Sequence, residues 1–147
     1  MKKMRYYQDF KIILLDSGNY LGYDYYILNL GTHPTAYVDI PKEHKYYKKQ
    51  YDKIDINVHG GVTYSNNTLT IGNNDVKNGW FIGWDYAHYG DYYGYYKSLK
   101  TNSFKESHKW TTEEIYEDVK KVCEQLKRVE NKSMFKKIFE FIFRRFK

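Results

Sequence analysis

Apolar and polar positions along this chain change period once. Up to about residue 96 the pattern is that of short extended segments rich in Tyr, Ile and Leu, and from residue 111 apolar residues recur every three or four positions. Residues 4–15 and 19–30 read as two strands of a long hairpin, separated by the turn formers Asp16, Ser17, Gly18 and Asn19. Residues 35–40 predict a third strand stopped by Pro41, and the polar run from Pro41 to Lys53 predicts one short helical turn. Ile54, Ile56 and Val58 alternate with polar residues, the mark of a half-buried strand, which His59, Gly60 and Gly61 then break. Residues 62–64 and 68–71 are short strand candidates around Asn66 and Asn67, and residues 80–86 predict another after Asn78 and Gly79.

The helix has a well-defined start. Thr111, Thr112, Glu113 and Glu114 form a capping box, in which a threonine oxygen accepts the third helical amide, Glu114 reaches back, and Trp110 is placed to staple onto Ile115. Ile115, Val119, Val122, Leu126 and Val129 then form a stripe that should lie on the sheet, with Lys120, Lys121, Lys127 and Arg128 outside. Residues 131–147 place Met134, Phe135, Ile138, Phe139, Phe141, Ile142, Phe143 and Phe146 on a wide apolar arc, predicting a second, amphipathic helix. Such a tail either packs on its own sheet, self-associates into a homo-oligomer or lies on a membrane surface. The expected fold is therefore α+β: a twisted, mainly antiparallel sheet of about five to seven strands with one long helix across a face and a C-terminal amphipathic helix. The expected organisation is one domain over residues 1–130 and a basic, Phe-rich tail over 131–147.

Composition narrows the function classes. The 147 residues include 18 tyrosines and are 20% aromatic, which excludes disorder for most of the length and suits half-buried strands and stacking surfaces. The net charge of +6 is concentrated in the tail, where six cations face Glu140 for a balance of +5, leaving +1 for residues 1–130. A nearly neutral body lacks the footprint of a DNA or RNA binder. The single cysteine, Cys123, excludes an intramolecular disulfide and a metal finger, reads as a small buried hydrophobe, and points to a reduced, cytoplasmic setting. Near the N-terminus only four consecutive strong apolar residues, at 12–15, precede Asp16, too few for a signal peptide or a membrane span.

Two glycine-bracketed polar clusters fall where strands are expected to end. The first is His59-Gly60-Gly61-Val62-Thr63-Tyr64, and the second runs from Gly83 to Asp91, with Asp85, His88 and Asp91 at every third position. Two imidazoles with nearby carboxylates can act as base and acid on a phosphodiester. His59 and His88 are the candidate pair, Asp85 or Asp91 would orient them, and Gly60, Gly61 and Thr63 would bind phosphate oxygens. Tyr64, Trp84 or Tyr86 would stack a base. The same His59, Asp85, His88 and Asp91 make a divalent metal site an alternative to a metal-free pocket. A purely structural role remains beside both: Asp85 and Asp91 capping turns, His88 satisfying a buried amide, the glycines serving geometry. His33, His44 and His108 lack such a setting and are expected at the surface.

At these residues, HGGVTY at 59–64 and GWDYAHYGD at 83–91, the chain resembles a group of small phage and mobile-element proteins that carry HGG(L/V)TY followed by GxDxAHxGD. The resemblance spans roughly residues 19–128, leaves out the tail, and implies a phage-encoded origin and a shared pocket of His59, Gly60, Gly61, Thr63, Tyr64, Asp85, His88 and Asp91. A small phage protein with one polar pocket suits interference with host defence by cleaving or sequestering a nucleotide second messenger. Sequestration is disfavoured by the scarcity of arginine in the body, where only Arg5 and Arg128 are available as phosphate forks. The competing expectation is a non-enzymatic inhibitor that binds a host protein through Tyr86, Tyr89, Tyr92, Tyr93, Tyr95 and Tyr96.

Overall fold

A computed structural model of the chain describes residues 11–72, 74–88 and 108–146. Five strands, β1 (Ile13–Tyr20), β2 (Tyr23–Asn29), β3 (Pro34–Asp39), β4 (Tyr64–Thr70) and β5 (Val76–Asp85), precede one helix, α1 (Thr112–Arg145). All four pairings are antiparallel and the sheet order is β1-β2-β3-β5-β4, so the architecture is α+β.

Because side chains alternate across a strand, the sheet sorts its residues into two layers. Tyr23, Tyr25 and Ile27 from β2, Ala36 and Val38 from β3, and Trp80, Ile82 and Trp84 from β5 form the main core with Ile115, Val119, Val122, Cys123 and Leu126 of α1. Leu28, Tyr37, Leu69, Ile71 and Phe81 form a smaller cluster on the other face. The helix starts as its sequence dictates. The Thr111 side chain accepts from the Glu114 amide at 3.2 Å and the Glu114 carboxylate accepts from the Thr111 amide at 3.3 Å. Cys123 is fully buried, and desolvation, reinforced by Glu124, pushes its thiol up to about 12.

Several expectations are corrected. The first hairpin turns at Leu21 and Gly22, both with positive φ (53° and 92°), not at residues 16–19, which lie inside β1. The cross-strand partner decides this: Gly18 lies beneath the Tyr25 ring, where an added Cβ would meet the hydroxyl at 3.0 Å, and Asp16 accepts from that hydroxyl at 3.1 Å. The two short candidates at 62–64 and 68–71 are replaced by the single strand β4, which runs from Tyr64 through Asn66 and Asn67 to Thr70 with a register shift between Asn66 and Thr68. Residues 54–58 pair with no strand, although Ile54 and Ile56 are buried as their alternation requires. Their polar backbone is met by the helix instead, where the Asn57 amide donates to Gln125 Oε1 and Gln125 Nε2 donates back to the Asn57 carbonyl, each at 2.8 Å. The polar run holds a 3₁₀ turn at Tyr51–Lys53, and at Pro41 one hydrogen-bonded turn starts, the His44 amide donating to the Pro41 carbonyl at 3.0 Å.

The tail is not a second helix. Asn131, Lys132 and Ser133 contain no breaker, and α1 runs through them without interruption to Arg145, about 50 Å in all, so the expected boundary at residue 131 falls mid-helix. His44 is also corrected: it is buried at 6% exposure, its Nε2–H donates to the Leu126 carbonyl at 2.9 Å, and its Nδ1 accepts from the Tyr46 amide at 2.9 Å. It ties the 41–50 excursion to the helix.

Candidate functional site

The two glycine-bracketed clusters meet at one end of the sheet, where β5 ends, the approach to β4 begins and α1 starts. Gly61 donates to the Val58 carbonyl at 2.8 Å, closing a tight turn in which Gly60 and Gly61 both have positive φ, 68° and 80°. The Thr63 amide then donates to Gly83 at 2.9 Å, which lays the HGG turn beside the last residues of β5. His59 and His88, 29 positions apart in sequence, come to 5.5 Å between ring centroids at an interplanar angle of 70°.

Each imidazole has a distinct setting. His88 Nε2 lies 3.2 Å from Asp85 Oδ1, with the two side chains 36% and 29% exposed. Gly60 approaches the same ring so closely that an added Cβ would fall 2.0 Å from Nε2. Glycine is therefore required there twice over, by the positive φ and by the ring. His59 is half-buried and stacks parallel to Tyr86, with centroids 5.1 Å apart and planes 7° apart. Trp110 packs against both, at 4.7 Å from His59 and 4.9 Å from Tyr86.

Asp85 connects the halves. Its Oδ2 accepts from Thr63 Oγ1 at 3.3 Å, and its Oδ1 accepts from the Ala87 amide at 3.1 Å, a turn-capping contact made in addition to the approach to His88. Beneath the rings, the fully buried Tyr86 hydroxyl accepts from Trp84 Nε1 at 2.9 Å and donates to Asp118 Oδ2 at 2.7 Å. Tyr86, beneath His59 and Trp110, is thus bonded to the helix.

His59, Gly60, Gly61, Thr63, Asp85, Tyr86 and His88 are brought together, and Trp84 and Tyr64 are not. Trp84 is 1% exposed in the main core and has no face for a ligand. Tyr64 belongs to the opposite layer, packing edge-to-face on Tyr37 at 5.2 Å and donating its hydroxyl to the Thr68 carbonyl at 2.8 Å. β5 explains the pair: Gly83 lies opposite both Tyr37 and Tyr64, and a Cβ there would meet the Tyr37 ring at 2.4 Å. Tyr86 is present but buried beneath His59 and Trp110, so it is a floor and not a stacking face for a base. The Gly61 amide is spent on the turn, which removes it as a phosphate donor. Asp91, and the tyrosines at 89, 92, 93, 95 and 96, lie outside the described residues. Among the described residues no group of three or more His, Cys, Asp or Glu side chains is arranged to hold a metal ion.

Two aromatic residues at the rim escaped the sequence reading. Trp110 reads there only as a helix staple, yet its ring packs on both His59 and Tyr86. His108 is exposed as expected, but it packs on Trp110 at 4.5 Å, and its Nε2–H donates to Glu114 Oε2 at 2.7 Å. That bond holds the Glu114 carboxyl below its ordinary range. The signal available was proximity to the capping box: whatever precedes the N-cap must sit where the helix starts. Comparison of the chain with protein-family models, with curated proteins and with solved structures finds no match in any of the three.

Proposed function

We propose that this pocket cleaves a phosphodiester bond of a nucleotide immune second messenger, as a phage-encoded counter-defence activity in the host cytoplasm. The carrying observation is the meeting of His59 and His88 at 5.5 Å with Asp85 3.2 Å from the second ring. His88, with the Asp85 carboxylate 3.2 Å away to hold its ring, is assigned as the general acid, and His59, stacked on Tyr86, as the general base. Water attacks phosphorus as His59 takes one of its protons. The bond to the leaving oxygen breaks as His88 donates a proton to it, and the sum is addition of one water. Thr63, whose hydroxyl already donates to Asp85, positions that carboxylate, and Gly60 leaves room for the acid. Sequestration is the weaker reading because two of the aromatic residues that would grip a base, Trp84 and Tyr86, are buried. Phage origin rests on the HGGVTY and GWDYAHYGD motifs.

The test is incubation with a panel of cyclic mono- and dinucleotides and cyclic ADP-ribose-type compounds, followed by chromatography and by heat release of anything retained. Altered products are expected, with His59→Ala and His88→Ala each abolishing turnover while the melting temperature stays within a few degrees. Intact compound recovered after heating would replace cleavage by sequestration. No retention and no product would remove the nucleotide altogether and leave a protein-binding inhibitor.

A further inference from the structure

The second half of α1 presents an apolar surface that its own domain does not cover. Phe135, Phe139, Phe141, Phe143 and Phe146 are 76%, 65%, 62%, 59% and 85% exposed. Phase explains why. Continuing the four- and three-residue spacing of Ile115, Val119, Val122, Leu126 and Val129 lands on Ser133, Lys136 and Glu140, so the sheet-facing stripe ends at Val129. With 3.6 residues per turn, the centre of the exposed arc points roughly 155° away from the buried stripe. Because the helix is continuous, the arc cannot turn back onto the sheet without breaking it.

Charge selects what meets this arc. Residues 131–146 carry Lys132, Lys136, Lys137, Arg144 and Arg145 against the lone carboxylate of Glu140, a net +4. A second copy would bring another +4 with one carboxylate to answer it, whereas an anionic bilayer supplies phosphates along both flanks of the arc. Lys132 and Arg145 lie on the flanks of the arc, roughly 80° and 60° from its centre, where long side chains reach lipid phosphates while their stems stay in the apolar layer. Arg145 already lies over the Phe141 ring at 5.7 Å. No described helix is long and apolar enough to cross a membrane, so the geometry is that of a helix in the surface plane.

We propose that residues 131–146 dock the protein on an anionic lipid surface, phenylalanines inserted and cations on the phosphates. The sheet lies on the opposite side of the helix, which places the domain on the water side. His59 and His88 sit at the other end of α1, roughly 30 Å along the helix from where the docking segment starts.

The experiment is flotation of the full chain with vesicles of phosphatidylcholine alone or mixed with phosphatidylglycerol, at low and high salt, alongside sedimentation velocity without lipid. Expected are a monomer in solution, flotation with the phosphatidylglycerol vesicles only, and release at high salt. Phe139→Ser with Phe143→Ser should abolish flotation with circular dichroism unchanged, since both side chains are exposed. Lys132→Gln with Arg145→Gln should weaken binding on the order of 30-fold, at about 1 kcal/mol per cation near an anionic surface. Equal binding to both vesicle types overturns the charge argument. Failure to float, whether the protein is a dimer paired through these residues or a monomer, overturns the proposal, the dimer in favour of a second copy and the monomer in favour of a protein partner.

Discussion

The two halves of α1 use the same kinds of side chain and meet opposite fates. Over residues 112–130 five aliphatic or sulfur-bearing side chains are at 0% exposure, in the main core with residues of β2, β3 and β5, and Val129 and Tyr116 are half-buried against it. Over residues 131–146 they are mostly phenylalanines, none of them buried. Both halves are amphipathic and nothing interrupts the backbone between them. The difference is angular: the first half keeps its stripe toward the sheet, and the second rotates its apolar arc to the far side. An amphipathic pattern therefore says that a helix has a partner surface. Only its phase relative to the neighbouring stripe says whether that surface belongs to the same domain.

The strongest way to break this comparison is a matched truncation in each half. Leu126→Ala removes a fully buried side chain from the main core and should cost about 2–5 kcal/mol by urea unfolding, because the surrounding sheet relaxes only partly around the cavity. A smaller loss would mean the packed half is held more loosely than its burial indicates.

A pH titration sharpens the same contrast. Cys123 is raised from 9.0 to about 12 by desolvation and Tyr25 from 10.0 to about 12 by desolvation and its bond to Asp16, and both are neutral in the fold. Their contribution is fully present below the unfolded values and is lost as pH rises from about 9 through about 12. The melting temperature should fall over that window, and Cys123→Ala should flatten the lower part of the fall. A thermal profile that stays level to pH 11 would contradict this burial. The exposed half has no such group.

The smallest effect belongs to the outer half. Phe139→Ala, at a side chain 65% exposed, should change stability by less than about 0.5 kcal/mol in the absence of lipid. A destabilisation comparable to that of Leu126→Ala would show that the tail is packed against its own chain after all, and would remove the surface on which lipid docking depends.

The candidate site was partly legible for a reason of the same kind. His59, Gly60, Asp85 and His88 could be picked out because polar residues next to glycine at strand ends have little other use, and they do meet. Trp84 and Tyr64 belong to the same motifs but go elsewhere, since neighbours on a strand point to opposite faces and the layer each face enters is decided by pairing. Trp110, just before the helix, and Asp118, within it, lie far along the chain, and their approach to His59 and Tyr86 exists only once α1 lies on the sheet.

What the sequence determined by itself was local: the capping box at Thr111 and Glu114, the stripe from Ile115 to Val129, the alternation that makes the sheet amphipathic, and the burial of Cys123. Each depends on residues within a few positions of one another, where spacing alone sets geometry. Tertiary structure decided the rest: the turn at Leu21 and Gly22, the burial of His44 beneath Leu126, the side of the sheet taken by Tyr64, and the direction in which the phenylalanines face. These depend on register and on angle between elements, which are set by which surfaces bury together and which are left to water.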